Sequence, residues 1–550
     1  MNLRGTIFAV LALLSAAALG AGSSPHYSIS ASTLDGAGTA GASVNYSHGG
    51  HLLSPAGNGA STHYGNIVGF HAATEPEPPL GLTVNLETGD PVPGLIGATF
   101  VGATDLPGQF SGDAVLTRIK LSNGSTVGAL VRPSGVLVKV GDSLATAGNA
   151  VISKLYAMSR GAFLAELKPG TGSPLATLAN NKLVCFDTGA GIQVVARTGN
   201  VAPGGVTTFK LFRACTGDAS GDVFFAGVLN GLRNVDTGVW VRPFGGDLKF
   251  LVKEGQSVDL GSGLKRINSI TAFAFPSRSQ AEGRVLYDAH SIVARLTIGS
   301  DHAIVVLPAS ATSSAGWIVV ALAGGDAPGG IGKYLSLGLP ASEDTNVAFK
   351  ATLKLSSSVS AANNVIVVAG GIVIARKGSL APGTGNVFSN FYDPAAGIPG
   401  QASFVARLAG AGSASDEGLW ELRNSVVGLV ARESDPAPGL GPITIRSFTR
   451  NVHPGGGLGP VFVATLNGVP SSTSTVLYGV PATGGPAVDL ARTGDQFDVA
   501  GTMRTLTSLQ ALDAERGTGG LARGYDNSRV FMIGGVGNKH IALFALPVLP

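Results

Sequence analysis

A short signature returns along this chain at a nearly constant interval, and that interval limits the fold more than any other feature. Its clearest copy is Leu429-Val-Ala-Arg-Glu-Ser-Asp-Pro-Ala-Pro-Gly439. It returns as Val195-Ala-Arg-Thr-Gly-Asn-Val-Ala-Pro-Gly204, as Val320 to Gly329 and as Ile374 to Gly383. Weaker copies start at Leu86, Val138, Val252 and Leu490. Aligned on one position, the anchors are Glu87, Lys139, Arg197, Lys253, Leu322, Arg376, Arg432 and Arg492, and the stretch after the last is one period long. Self-similarity at a period of this size marks a repeat architecture.

A second column keeps step with the first. Phe163, Phe225, Phe349, Phe404 and Phe462 each open a Phe-x-Ala/Gly-x-Leu segment. Alternation of period two puts Phe, the small residue and Leu on one face of a strand. A third column holds Gly238-Val-Trp240 and Gly418-Leu-Trp420, three periods apart. The best unit offers four strands near 418–422, 426–432, 443–448 and 460–466. A four-stranded sheet cannot hide both faces alone, so a run of them stacks around an axis as propeller blades. The expectation is an all-β fold, a β-propeller spanning 80–550. Eight anchors imply eight blades, with seven the count if the poorly matching first unit is not a blade. A β-solenoid is the competing architecture, but its repeats are shorter and more regular.

Composition fits many short strands. Gly is 81, Pro is 30 and charged residues are 13%. Beyond the N-terminus the apolar residues come in runs of four to eight, broken by turn formers. Net charge is +3 with the basic residues scattered, so no basic stripe marks a nucleic-acid partner. In Ala-Pro-Gly, Pro fixes φ and Gly takes the positive-φ position of a turn. The anchor Arg or Lys is expected at a strand end, solvated or bonded to a loop carbonyl. The alternative is a ring of cations around one mouth of the propeller.

Positions 1–22 read as a signal peptide: Arg4 supplies the charge and 7–20 the apolar stretch, too short to span a bilayer comfortably. The expected location is therefore exported: secreted, cell-surface or periplasmic, with no membrane span after cleavage. Positions 23–73 form a Ser/Gly/His-rich strand-and-loop segment, and 74–79 a Pro-rich linker. That N-terminal part holds His26, His48, His51, His63 and His71 without metal-ligand spacing. The only two cysteines, Cys185 and Cys215, can pair in an oxidising compartment or stay as buried thiols.

No G-x-S-x-G, H-E-x-x-H or Asp-rich calcium loop occurs. The sequence therefore assigns no catalytic, cofactor or metal residues and implies no cofactor. Three roles stay open: a binding scaffold for an extracellular glycan or protein, a propeller enzyme acting on polysaccharide or peptide, and a structural envelope component. Two or three carboxylates meeting a His at the axial mouth would favour the enzyme.

The repeat also resembles an exported tandem-repeat family of planctomycete- and verrucomicrobial-type bacteria, named for an Asn-x-x-Gly…Ala-Phe motif and described as "choice-of-anchor". Asp218-Ala-Ser-Gly221 and Asn346-Val-Ala-Phe349 keep parts of that motif, and Tyr27 to Gly38 is similar to a leader segment of the same bacteria. The resemblance implies a secreted or surface-associated propeller. It brings no activity and no site residues.

Overall fold

The structure is a computed structural model. It describes residues 23–24, 27–28, 83–105, 114–132, 134–261, 263–271, 286–454, 458–499, 501–513, 524–525, 529–537 and 541–547. The chain divides into two compact units, 1–74 and 75–550. In the first, Ser23–Ser24 pairs antiparallel with Tyr27–Ser28. The expected signal peptide at 1–22, the five histidines named above and the expected linker at 74–79 lie outside the described residues.

The second unit is a β-propeller of eight antiparallel blades. Blade one is Thr99–Ala103, Val115–Lys120, Thr126–Arg132 and Gly135–Lys139. Blade two runs from Ala150–Ser159 through Ala162–Leu167 and Lys182–Asp187 to Ile192–Arg197. Blade three is Phe209–Gly217, Val223–Leu229, Thr237–Arg242 and Lys249–Lys253. Blades four to seven repeat the pattern and end at Ile318–Leu322, Ile372–Arg376, Val426–Arg432 and Val488–Arg492. Every anchor from Lys139 to Arg492 is thus the last residue of a fourth strand.

The eighth blade explains the poor first unit. Its first three strands are Ser508–Ala511, Arg529–Gly535 and Ile541–Pro547, and its fourth is Thr83–Glu87, from the other end of the unit. Val84 pairs with Phe544 and Leu86 with Leu543. The weak copy at Glu87 is therefore a fourth strand without its own first three, and the residues after Arg492 supply them. The count is eight.

The period is as expected, but its phase is shifted by half a blade. Glu417–Arg423 and Val426–Arg432 end blade six, whereas Thr444–Val452 and Val461–Asn467 begin blade seven. Ala-Pro-Gly is the crossover between blades, where the chain leaves one outer strand for the next inner one. Its glycines, Gly204, Gly329, Gly383 and Gly439, have φ between +74° and +85°, as the turn demands.

The columns meet in the core. In blade three, Phe209 on the first strand lies 5.0 Å from the Trp240 ring, and Phe225 stacks on it at 5.9 Å and 16°. Blade six repeats this with Phe388, Phe404 and Trp420 at 5.0 Å, 6.1 Å and 14°. Each indole N–H then donates to the Pro carbonyl of its crossover, Trp240 to Pro203 at 3.2 Å and Trp420 to Pro382 at 3.1 Å. Tyr478 OH does the same to Pro438 in blade seven. The ring buries its apolar area and satisfies its polar tip at once. Gly238 and Gly418 precede these rings because an added Cβ would lie 2.8 and 2.7 Å from the indole.

Apolar clusters span each pair of neighbouring blades around the ring. Val115 of blade one with Phe531, Ile533 and Leu543 of blade eight completes the circuit. Burying both faces of every sheet is what drives the closure. Among the described residues no helix is long and apolar enough to cross a membrane.

Candidate functional site

Two sets of turns project from the propeller. One set carries the Ala-Pro-Gly crossovers and the anchors. There the guanidinium Nε of Arg197, Arg376 and Arg432 donates to the carbonyls of Asn180, Asn363 and Ser415 at 2.7 to 2.9 Å. Lys139 pairs with Asp142 and Arg492 with Asp495. The three arginines fasten the fourth strand to the loop before the third strand, and Lys139 and Arg492 each pair with the turn that follows their own strand, which favours the strand-end reading over a free cationic ring.

The opposite set joins first to second and third to fourth strands. Leu286–Asp288, Ala341–Glu343 and Ala395–Ala396 continue the first strands of blades four, five and six. They pack in succession on one another and on the first strand of blade seven. Only segments beside the axis can do so, and the turns that follow them ring the axis at this face.

Polar clasps tie the turns of adjacent blades together. Ser159 Oγ meets Thr216 Oγ1 at 2.9 Å, and Ser403 donates to Asn451 at 3.1 Å. Asn346, at the start of a second strand, donates to the carbonyls of Gly397, Ile398 and Gln401. Asp222 occupies the matching position in blade three, three residues before Phe225. Its Oδ1 accepts from Phe244 N at 2.7 Å, and its Oδ2 faces His290 Nδ1 of blade four at 3.0 Å.

Asp218 joins this pair. Its Oδ1 accepts from the backbone N–H of Ser220 and Asp222 at 2.8 and 2.9 Å, which shapes the turn. Its Oδ2 is buried with no hydrogen-bond partner among the described residues, and the residue is 7% exposed. Burial, with the Asp222 charge adding to it, pushes the carboxyl up to about 6. The hydrogen bond to Asp222 raises His290 above the ordinary imidazole value. One ligand atom from each of Asp218, Asp222 and His290 lies within 4.8 Å of the others.

Asp218 also lines a cleft of about 480 Å³ with Arg132, Arg160, Phe186, Asp187 and the backbone at Gly161, Gly189 and Gly221. Arg132 at the end of a blade-one strand pairs with Asp187 of blade two at 2.5 Å, and Asp187 also accepts from Gly189 N. Three blades thus build one cleft from strand-end and turn residues.

Comparison with known proteins now adds one firm result. Residues 150–528 match a family of unknown function, DUF7453. The chain belongs to DUF7453. A search of curated proteins gives no match. Among solved structures, this DUF7453 chain is similar to the β-propeller domain of the Trilobed protease from Pyrococcus furiosus, at 8% identity and TM-score 0.32, over 72% of this chain and 93% of that one. It is also similar to a prolyl endopeptidase, at 11% identity and TM-score 0.33, over 70% and 56%. A third is oligogalacturonate lyase from Vibrio parahaemolyticus, at 10% identity and TM-score 0.29, over 85% and 96%. At these scores the likenesses carry no function, and the propeller of this DUF7453 member rests on its strand pairing.

Neither cysteine belongs to the site. Cys185 on the third strand of blade two and Cys215 on the first of blade three are free and buried, and burial pushes both thiols up. Asp218 was in view in the sequence as a remnant of the Asn-x-x-Gly motif. Asp222 and His290 carried no signal, because they stand more than a full repeat apart and only blade packing brings them together.

Proposed function

We propose that this chain is an exported binding scaffold that holds a segment of extracellular glycan in the cleft of blades one to three. The cleft carries the reading. Arg132 and Arg160 offer donors, Asp187 offers an acceptor, and Phe186 offers an aromatic wall. A sugar needs all three, since its hydroxyls both give and accept while its ring face is apolar. Export is supported by the signal-like positions 1–22, and attachment at a cell surface by the resemblance to the choice-of-anchor repeats. A glycan array probed with the full mature chain should show saturable binding that Arg160→Ala abolishes. Binding only to protein in a parallel pull-down, or glycan binding undiminished in that variant, would overturn the assignment.

A second reading, an enzyme cleaving polysaccharide or peptide, is favoured by two carboxylates meeting a His beside the axis. Incubation with polysaccharide and peptide panels tests it. New reducing ends or fragments that disappear in Asp222→Asn would establish it, and intact substrates would remove it.

A further inference from the structure

We propose that Asp218, Asp222 and His290 hold one divalent transition-metal ion of the zinc class, bound beside the cleft. The inference does not depend on the glycan reading. Each carboxylate spends Oδ1 on backbone N–H groups, Asp218 on Ser220 and Asp222, and Asp222 on Phe244. Those bonds fix both side chains and leave both Oδ2 atoms for a third party. His290 supplies Nδ1 to Asp222 Oδ2, and among the described residues nothing supplies Asp218 Oδ2. A buried carboxylate oxygen without a partner is costly. A proton shared within the group satisfies one atom, whereas a single cation satisfies all three.

The donor set selects the ion. One imidazole nitrogen and two carboxylate oxygens suit zinc and its neighbours, whereas calcium takes six to eight oxygens and leaves imidazole unused. Zinc bonds of about 2.0–2.2 Å set donors roughly 3.3 Å apart around a tetrahedron. The three atoms here lie within 4.8 Å of one another, so a closure of the exposed His290 imidazole completes the cage. With Nδ1 on the ion, Nε2–H faces Ser220 Oγ, now at 3.4 Å, the outer contact that orients a ligating His. Three protein donors leave a fourth position open to a ligand or water.

The test is zinc titration by calorimetry on the full mature chain, made without a His tag and stripped with chelator. The histidines before the linker can take zinc as well, so the difference between variants is the readout. Wild type should bind one equivalent more than His290→Ala, whose side chain is 64% exposed. Asp218→Asn keeps Oδ1 for the turn and should weaken that equivalent tenfold or more, with the metal-free melting temperature no lower than wild type. Equal zinc stoichiometry in wild type and His290→Ala overturns the proposal. So does full-strength binding in Asp218→Asn, or a site that takes calcium and ignores zinc.

Discussion

Asp489 shows at the scale of one residue how burial without a partner becomes pH dependence. It lies on the fourth strand of blade seven with Oδ1 buried and unpartnered among the described residues, facing Asp495, Arg492 and Tyr478. Desolvation first, then the Asp495 charge, raises its carboxyl to about 7, against the pull of Arg492 and the Ala491 N–H. The unfolded value is about 3.9. Since the folded value is higher, the folded chain keeps a proton that the unfolded chain has lost between these limits. The stability it contributes is whole below about pH 4 and is lost as pH rises through about 7. Asp489→Asn keeps the shape and removes the charge. It should match the parent near pH 4 and exceed it at pH 8 by on the order of 4 kcal/mol. Urea midpoints at pH 4, 6 and 8 check this, and two parallel stability curves would refute it.

At the scale of the element, the anchor arginines show which parts of the fold were legible. A strand that must end at a fixed place, with its guanidinium on a loop carbonyl, leaves the same residue at the same interval in blade after blade. The period therefore survived in the sequence. Its phase did not, because Ala-Pro-Gly looks the same whether it turns a hairpin within a sheet or carries the chain to the next one. Only the pairing of Val426–Arg432 with Glu417–Arg423, and of Thr444–Val452 with Val461–Asn467, separates the cases. The site was less legible still. Asp218 has a local job in its turn, and His290 is a lone histidine until blade four packs beside blade three. The arginine bond itself is open to test. Arg376→Gln and Arg432→Gln each lose an Nε donor to a carbonyl, at 2.8 and 2.9 Å. Each should cost about 1–2 kcal/mol while the fold persists. Unchanged denaturation midpoints would return these residues to the solvent, and circular dichroism should keep its strand signature throughout.

For the whole molecule, the decisive contact joins the two ends of the second unit. Bringing Thr83–Glu87 to Ile541–Pro547 closes a loop that contains nearly the whole propeller, an entropic cost of roughly 5 kcal/mol plus a constant. A repeat array that closes must recover that cost at the seam. Here it is recovered by the fourth strand of blade eight, by Thr88 bonded to both N and O of Ile541, and by the Arg504–Glu87 ion pair at 3.1 Å. The Val115–Phe531–Ile533–Leu543 cluster, with Leu86 against it, adds its burial. Unlike an open solenoid, in which each repeat answers only to its neighbours, a closed ring ties the stability of blade one to blade eight. Leu86→Pro removes a ladder N–H and misplaces an apolar side chain at the seam. Amide exchange should then quicken first in Ile541–Pro547 and Val115–Lys120, on opposite sides of the broken seam, while the blade-five strand Val365–Ala369 keeps its protection. Unfolding should also spread over a wider range of denaturant, because the ring has become a chain of blades. A variant with uniform protection and an unbroadened transition would show that the seam does not hold the ring closed.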